Sequence, residues 1–220
     1  MMARNLCPTQ FAMTLTLYGA ARSRASMVRW YLEEKGIPYT MVQLDFKAGE
    51  HRQEPFLAVN PFGKVPALVD DAVGGPDGDG LKLFESGAIL YHLAECYGNE
   101  FEPDGPGGAQ GAAARRSLTA QWLLYANASF GPAMFLLETR PEELAHQLST
   151  LDGLLAKGGH LLAGTWGDPG WGAADCVLRS YLAYMPLFCP QVDLSPYPAV
   201  HAMINATHAR PAYQKAMAAG

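Results

Sequence analysis

Val65-Pro66 stands at the entry to an apolar run, Ala67-Leu68-Val69, and limits how that run can be used. Proline cannot donate to a sheet ladder, so it is confined to edges, first positions or bulges. X-Pro bonds are also the one class in which a cis peptide is cheap, which makes Val65-Pro66 a candidate cis turn at a strand entry. Such a turn aims the Val65 N–H and C=O at a ligand instead of a neighbouring strand. Glu85-Ser86 then opens an apolar-periodic segment (Ile89, Leu90, Leu93, Ala94, Tyr97), with Ser86 as the expected N-cap. A helix N-terminus beside an open backbone edge suits the carboxylate and amide groups of a small peptide.

Around this unit the chain divides into two halves of different character. Leu15 to Tyr18 alternates like a short strand, and Ser23 to Lys35 carries an apolar face (Ala25, Val28, Tyr31, Leu32) at helical spacing. Gly36 ends that helix and Pro38 prevents its restart, after which Tyr39 to Leu44 alternates again. Ala67–Val69 and Leu81–Phe84 form a hairpin across an unusually long Gly/Asp-rich loop, 70–80, read as a surface insertion. Residues 98–111, with Pro103, Pro106 and several glycines, read as a linker. Beyond it every pattern is helical. Ala112 to about Leu137 forms one helix bent at Gly131-Pro132, and a second starts at Pro141-Glu-Glu-Leu. A third runs from Ala173 to Met185. The expected organisation is an extension over 1–12, an α/β domain over 13–97, the linker, and an all-helical domain over 112–220.

Composition excludes several classes. A net charge of −5 with no basic run gives no general attraction to nucleic acid or an anionic membrane. No apolar stretch approaches the roughly 18–20 residues of a membrane helix, and residues 1–11 lack a signal-peptide core. The expected setting is therefore cytoplasmic. The four cysteines form no Cys-x-x-Cys pair, and the six histidines form no ligand cluster, so no metal is expected. Cys96 and Cys176 fall in helical patterns as small core residues.

The ordered set of Leu17-Tyr18, Ser23, Gly49-Glu50-His51, Val65-Pro66 and Glu85-Ser86 resembles the glutathione-binding domain of cytosolic glutathione transferases. The run Tyr18 to Ser26 is most similar to chi-type bacterial (cyanobacterial) members. The resemblance covers nearly the whole chain beyond the first twelve residues. It implies a thioredoxin-like α/β domain (βαβ then ββα) followed by an all-α domain, a homodimer, and glutathione as co-substrate with no further cofactor. Asp175 resembles the acid of the family's helix-capping motif, with Gly172 where Ser or Thr usually stands.

The chemistry required is modest. A thiol of pKa near 8.5 is only about 3% thiolate at pH 7, and lowering that pKa by about two units takes ~2.7 kcal/mol. One hydrogen bond to a charged group supplies roughly 1.5–3 kcal/mol. Ser23 is the first candidate donor, with a plain N-cap as its alternative; Arg22 and Arg24 flank it, and Tyr18 is the rival hydroxyl. The resemblance assigns Glu85 to the γ-glutamyl amino group, Ser86 to its carboxylate, Val65 beside Pro66 to the cysteinyl backbone, and Lys64 and His51 to the glycyl carboxylate. It places a hydrophobic electrophile between the domains, where Tyr125, Phe130 and Met134 are candidates for lining its pocket or for core packing. The leading expectation is conjugation of glutathione to soft electrophiles, as in detoxification. A glutathione-dependent peroxidase or thiol reductase and a non-catalytic binding module stay open beside it.

Overall fold

The computed structural model describes residues 15–20, 23–75, 78–163 and 170–218. Residues 1–12, Cys7 among them, lie outside these, as does Arg22.

The first half builds a four-stranded sheet from β1 (Leu15–Gly19), β2 (Thr40–Gln43), β3 (Ala67–Asp70) and β4 (Leu81–Phe84). Strand order is β2-β1-β3-β4, with β1 parallel to β2 and antiparallel to β3, and β3 antiparallel to β4. Period-two alternation sends Leu15, Leu17 and Gly19 to one face. There α1 (Ala25–Lys35) and α2 (Ser86–Cys96) cover the sheet, and Gly19 lets Ala25 and Met41 approach its backbone. Tyr18 points to the other face, its ring 5.6 Å from Phe56 in a short 3-10 turn (Phe56–Ala58). A second such turn, Glu50–Arg52, precedes it. Gly36 adopts φ 65°, and Ile37 N–H closes the last turn of α1 on Leu32 O at 2.9 Å, the stop expected of that glycine.

Among the described residues the regular elements of the second half are all helices: α3 (Gly108–Tyr125), α4 (Gly131–Phe135), α5 (Pro141–Leu155), α6 (Ala173–Phe188), α7 (Pro198–His208) and α8 (Pro211–Met217). Every residue of α6 from Ala173 to Met185 is buried, as in a helix surrounded by its neighbours. Two boundaries differ from the expectation. α3 starts at Gly108, inside the segment read as linker, because Arg115 ties that segment down: its guanidinium donates to the carbonyls of Glu100, Pro106 and Glu102 at 2.8, 2.6 and 3.0 Å. Between α3 and α4 lies a π-turn, Ala126–Phe130, directly before Gly131-Pro132, and Pro132 has no N–H to give to the turn behind it.

The chain forms two compact units, Glu100–Pro211 and the remainder, so the segment from Ala212 belongs with the α/β unit and not with the helical one. The contacts explain this. Tyr213 stacks edge-on to Trp30 with centroids 5.1 Å apart, Lys215 pairs with Glu33 at 2.6 Å, and Arg29 donates to Ala218 O at 3.1 Å. Among the described residues no helix is long and apolar enough to cross a membrane.

Candidate functional site

The ladder register assembles the site. Tyr18 lies opposite Ala67, and Ala67 opposite Phe84. The end of β1, the start of β3 and the end of β4 therefore stand in one row at the same edge. The segments that continue from that row are Ala20–Arg24, Val65-Pro66 and Glu85-Ser86, which lie far apart in sequence.

The Val65-Pro66 peptide is cis, as its sequence suggested, and Val65 sits just before the ladder begins at Ala67. The loop leading to it is held by Asn60, which is buried. Its Nδ2 donates to Lys64 O at 2.6 Å and its Oδ1 accepts from Phe62 N–H at 3.1 Å. Gly63, at φ 61°, lies so close to the His51 carbonyl that a Cβ there would be 2.7 Å from it. The loop thus brings His51 against Gly63, the residue before Lys64. Lys64 is exposed, whereas His51 buries an Nδ1 that has no hydrogen-bond partner and packs its ring 4.4 Å from that of Phe46. A buried, unpaired ring nitrogen is costly unless a ligand or water reaches it.

At β4 the chain turns into α2 through Glu85, whose φ of 69° is uncommon for a residue with a side chain. Glu85, not Ser86, is the N-cap: its carbonyl accepts from Ile89 N–H at 3.0 Å, and no side chain closes the cap. Ser86 is the first helical residue and is buried, because the sharp turn out of the strand spends one residue before helical geometry begins. The exposed Glu85 and the start of α2 follow directly on Phe84, the ladder partner of Ala67, and Val65 stands two residues before Ala67.

Ser23 lies beside the row with its hydroxyl engaged. Oγ donates to Ala20 O at 2.7 Å and accepts from Ala25 N–H at 3.2 Å. A serine has one hydroxyl proton, so donation to a thiolate requires leaving the Ala20 carbonyl. Arg24 is the exposed N-cap of α1. Tyr18 is half-buried against Phe56.

In the helical unit Phe130 and Met134 are buried in the core, and of the three pocket candidates only Tyr125 offers surface. The Tyr125 hydroxyl donates to Gln147 Oε1 at 3.1 Å, and burial pushes its pKa up to about 12. The start of α6 is closed from a distance: Glu100 accepts from Ala173 N–H through both carboxylate oxygens at 3.1 Å. Asp175 accepts from Gly172 N–H at 3.4 Å and pairs with Arg179 at 3.0 Å. Burial, opposed by Arg179 and His160, raises the Asp175 pKa. Asn60, Glu100 and Arg115 were missed as organising residues. For Asn60 a signal existed, an Asn four residues before Lys64 in a Pro/Gly turn.

The N-terminal domain of glutathione S-transferases matches residues 13–95. The chain is 34% identical to glutathione S-transferase 3 of Zea mays, over 93% of this chain and 94% of the maize protein. The chain belongs to the glutathione S-transferase family. A glutathione transferase family member from Pseudomonas fluorescens, crystallised with two glutathione molecules bound, superimposes with a TM-score of 0.74 at 25% identity, covering 96% of this chain and 95% of that one. The transcriptional regulator URE2 of Saccharomyces cerevisiae is 46% identical over 69 residues, which are 31% of this transferase-family chain and 18% of URE2. Nothing in these matches distinguishes the chi-type members.

Proposed function

We propose that this chain is a glutathione-conjugating enzyme of the cytoplasm, working as a homodimer and using glutathione to scavenge soft electrophiles. The single observation that carries the reading is the row Tyr18–Ala67–Phe84. It sets a strand entry free for a peptide backbone between a thiol-activating segment and a helix N-terminus bearing a carboxylate. Val65 supplies strand-like hydrogen bonds to the cysteinyl part. The α2 N-terminus and Ser86 receive the γ-glutamyl carboxylate, and Glu85 its amino group. Lys64 and the unpaired His51 Nδ1 take the glycyl carboxylate.

In the Mechanism this implies, Ser23 rotates its hydroxyl from Ala20 O to the bound sulfur, and Arg24 adds positive potential. The thiol proton is lost to solvent, and the thiolate held by these groups attacks the electrophile, forming the S–C bond as a leaving group departs or a multiple bond opens. Arg22 lies outside the described residues and keeps the role its position suggests. Tyr125 is the side chain of the helical unit best placed to contact an apolar electrophile, since Phe130 and Met134 are interior.

Titrating the thiolate absorbance of bound glutathione between pH 5 and 9 tests this. A thiol pKa well below that of free glutathione supports conjugation. Binding with an unshifted thiol favours a second reading, a binding module without turnover, to which the URE2 likeness and the engaged Ser23 hydroxyl lend support. Absence of binding removes the site assignment.

A further inference from the structure

Asp70, His92, Cys96 and Tyr97 form a cluster at the far end of β3, away from Ala67 and the glutathione row. Asp70 ends β3 and is completely buried. Its Oδ2 receives His92 Nε2 at 2.7 Å and the Tyr97 hydroxyl at 2.6 Å, and its Oδ1 receives Ala72 N–H at 3.0 Å. Burial alone would raise the Asp70 pKa, but the hydrogen bonds from His92 and Tyr97 outweigh it and hold the carboxyl below its ordinary value.

An ionised carboxylate only accepts, so His92 must carry its proton on Nε2. In the neutral imidazole that fixes the tautomer and leaves the Nδ1 lone pair to accept. Nδ1 lies 3.9 Å from Cys96 Sγ, one helical turn further along α2. Cys96 is partly exposed, in contrast to the buried Cys176 and Cys189. A thiol, a histidine acceptor and a buried carboxylate that orients it are the parts needed to activate a sulfur nucleophile. They also offset a local handicap, because Cys96 ends α2, where the helix dipole disfavours a thiolate.

We propose that Cys96 is a thiol–disulfide exchange site that takes up small disulfides from solution. The Cys96 proton passes to His92 Nδ1 and the thiolate attacks one sulfur of the disulfide. The S–S bond breaks as the Cys96–S bond forms, and the departing thiolate recovers the proton from His92. One small disulfide is consumed, one small thiol is released, and Cys96 carries the other half as a mixed disulfide. The small disulfide is the only oxidant required.

The full chain with Cys7→Ser is exposed to bis(2-hydroxyethyl) disulfide at pH 7, and modification is located by peptide mass mapping. This probe contains no glutathione, so the outcome is independent of the proposed glutathione site. Cys96 should be modified first, and His92→Gln should slow it at least about tenfold, the effect of one pKa unit on thiolate content. Asp70→Asn should slow it as well. The urea-unfolded parent and variant should react alike, which assigns the difference to the folded cluster. If His92→Gln does not fold, His92→Asn reads the same quantity. An unmodified Cys96, or a folded His92 variant that reacts at the parent rate, overturns the proposal.

Discussion

The Glu100 carboxylate occupies the place of a side chain at position 172. A Cβ built on Gly172 would lie 2.8 Å from Glu100 Cδ, while both Glu100 oxygens accept from Ala173 N–H. The missing Ser or Thr cap is therefore replaced by an acid that stands seventy-three positions before the Ala173 whose N–H it accepts.

Glu100→Ala should cost about 1 kcal/mol in denaturant unfolding, the usual worth of an N-cap. Gly172→Ser should recover most of that loss in the Glu100→Ala background and give no gain in the parent, where the serine competes with Glu100 for one space. If the serine stabilises both backgrounds equally, the two residues do not share a site.

Stability should also depend on acid through Asp70. Its folded pKa lies below the ordinary 3.8, so its contribution is fully present above pH 3.8 and is lost as pH falls through the folded value. Asp70→Asn should lower stability at pH 7 by about 1–3 kcal/mol, the scale of hydrogen bonds to a charged group. The difference between parent and variant should shrink below pH 3.8. A gap that stays constant down to the lowest measurable pH would contradict this.

Ser23 has a structural and a proposed chemical duty, and one substitution measures both. Ser23→Ala should lower stability by about 1 kcal/mol through loss of the Ala20 and Ala25 bonds. It should also reduce kcat by about 10²-fold if the hydroxyl stabilises the thiolate. Tyr18→Phe should leave turnover near the parent value. Stability lost with turnover kept would move the activating role to Arg24 or Arg22.

Glu85 sets stability against binding. Glu85→Gly relieves the positive φ and should stabilise the protein by about 1 kcal/mol. The same change removes the carboxylate, so KM for glutathione should rise with kcat little altered. A variant both less stable and unchanged in KM would refute both assignments.

The α/β unit was legible because its signals are local. Gly36 stops α1 where its chemistry predicts, and Val65-Pro66 marks the strand entry. The hairpin of β3 and β4 forms as expected, but Asp70, read as the first residue of the surface loop, ends β3 and is buried. What escaped reading depends on distant partners. The Glu100 bond to Ala173, the Arg115 clamp on the preceding carbonyls and the return of Tyr213 to Trp30 leave no periodic trace. The N-cap shift from Ser86 to Glu85 is a different failure, since serine is the better intrinsic cap and the geometry of the turn overrode it. Phe130 and Met134 sit at helical spacing, which does not tell a pocket wall from an interior.

The return of the segment from Ala212 to Trp30 and Glu33 has a consequence for how the protein is made. The α/β unit begins to leave the ribosome early, yet the Trp30 surface waits uncovered until Tyr213 has been synthesised. The helical unit, translated in between, can complete its own core first. The half that starts the chain is thus the last to be finished.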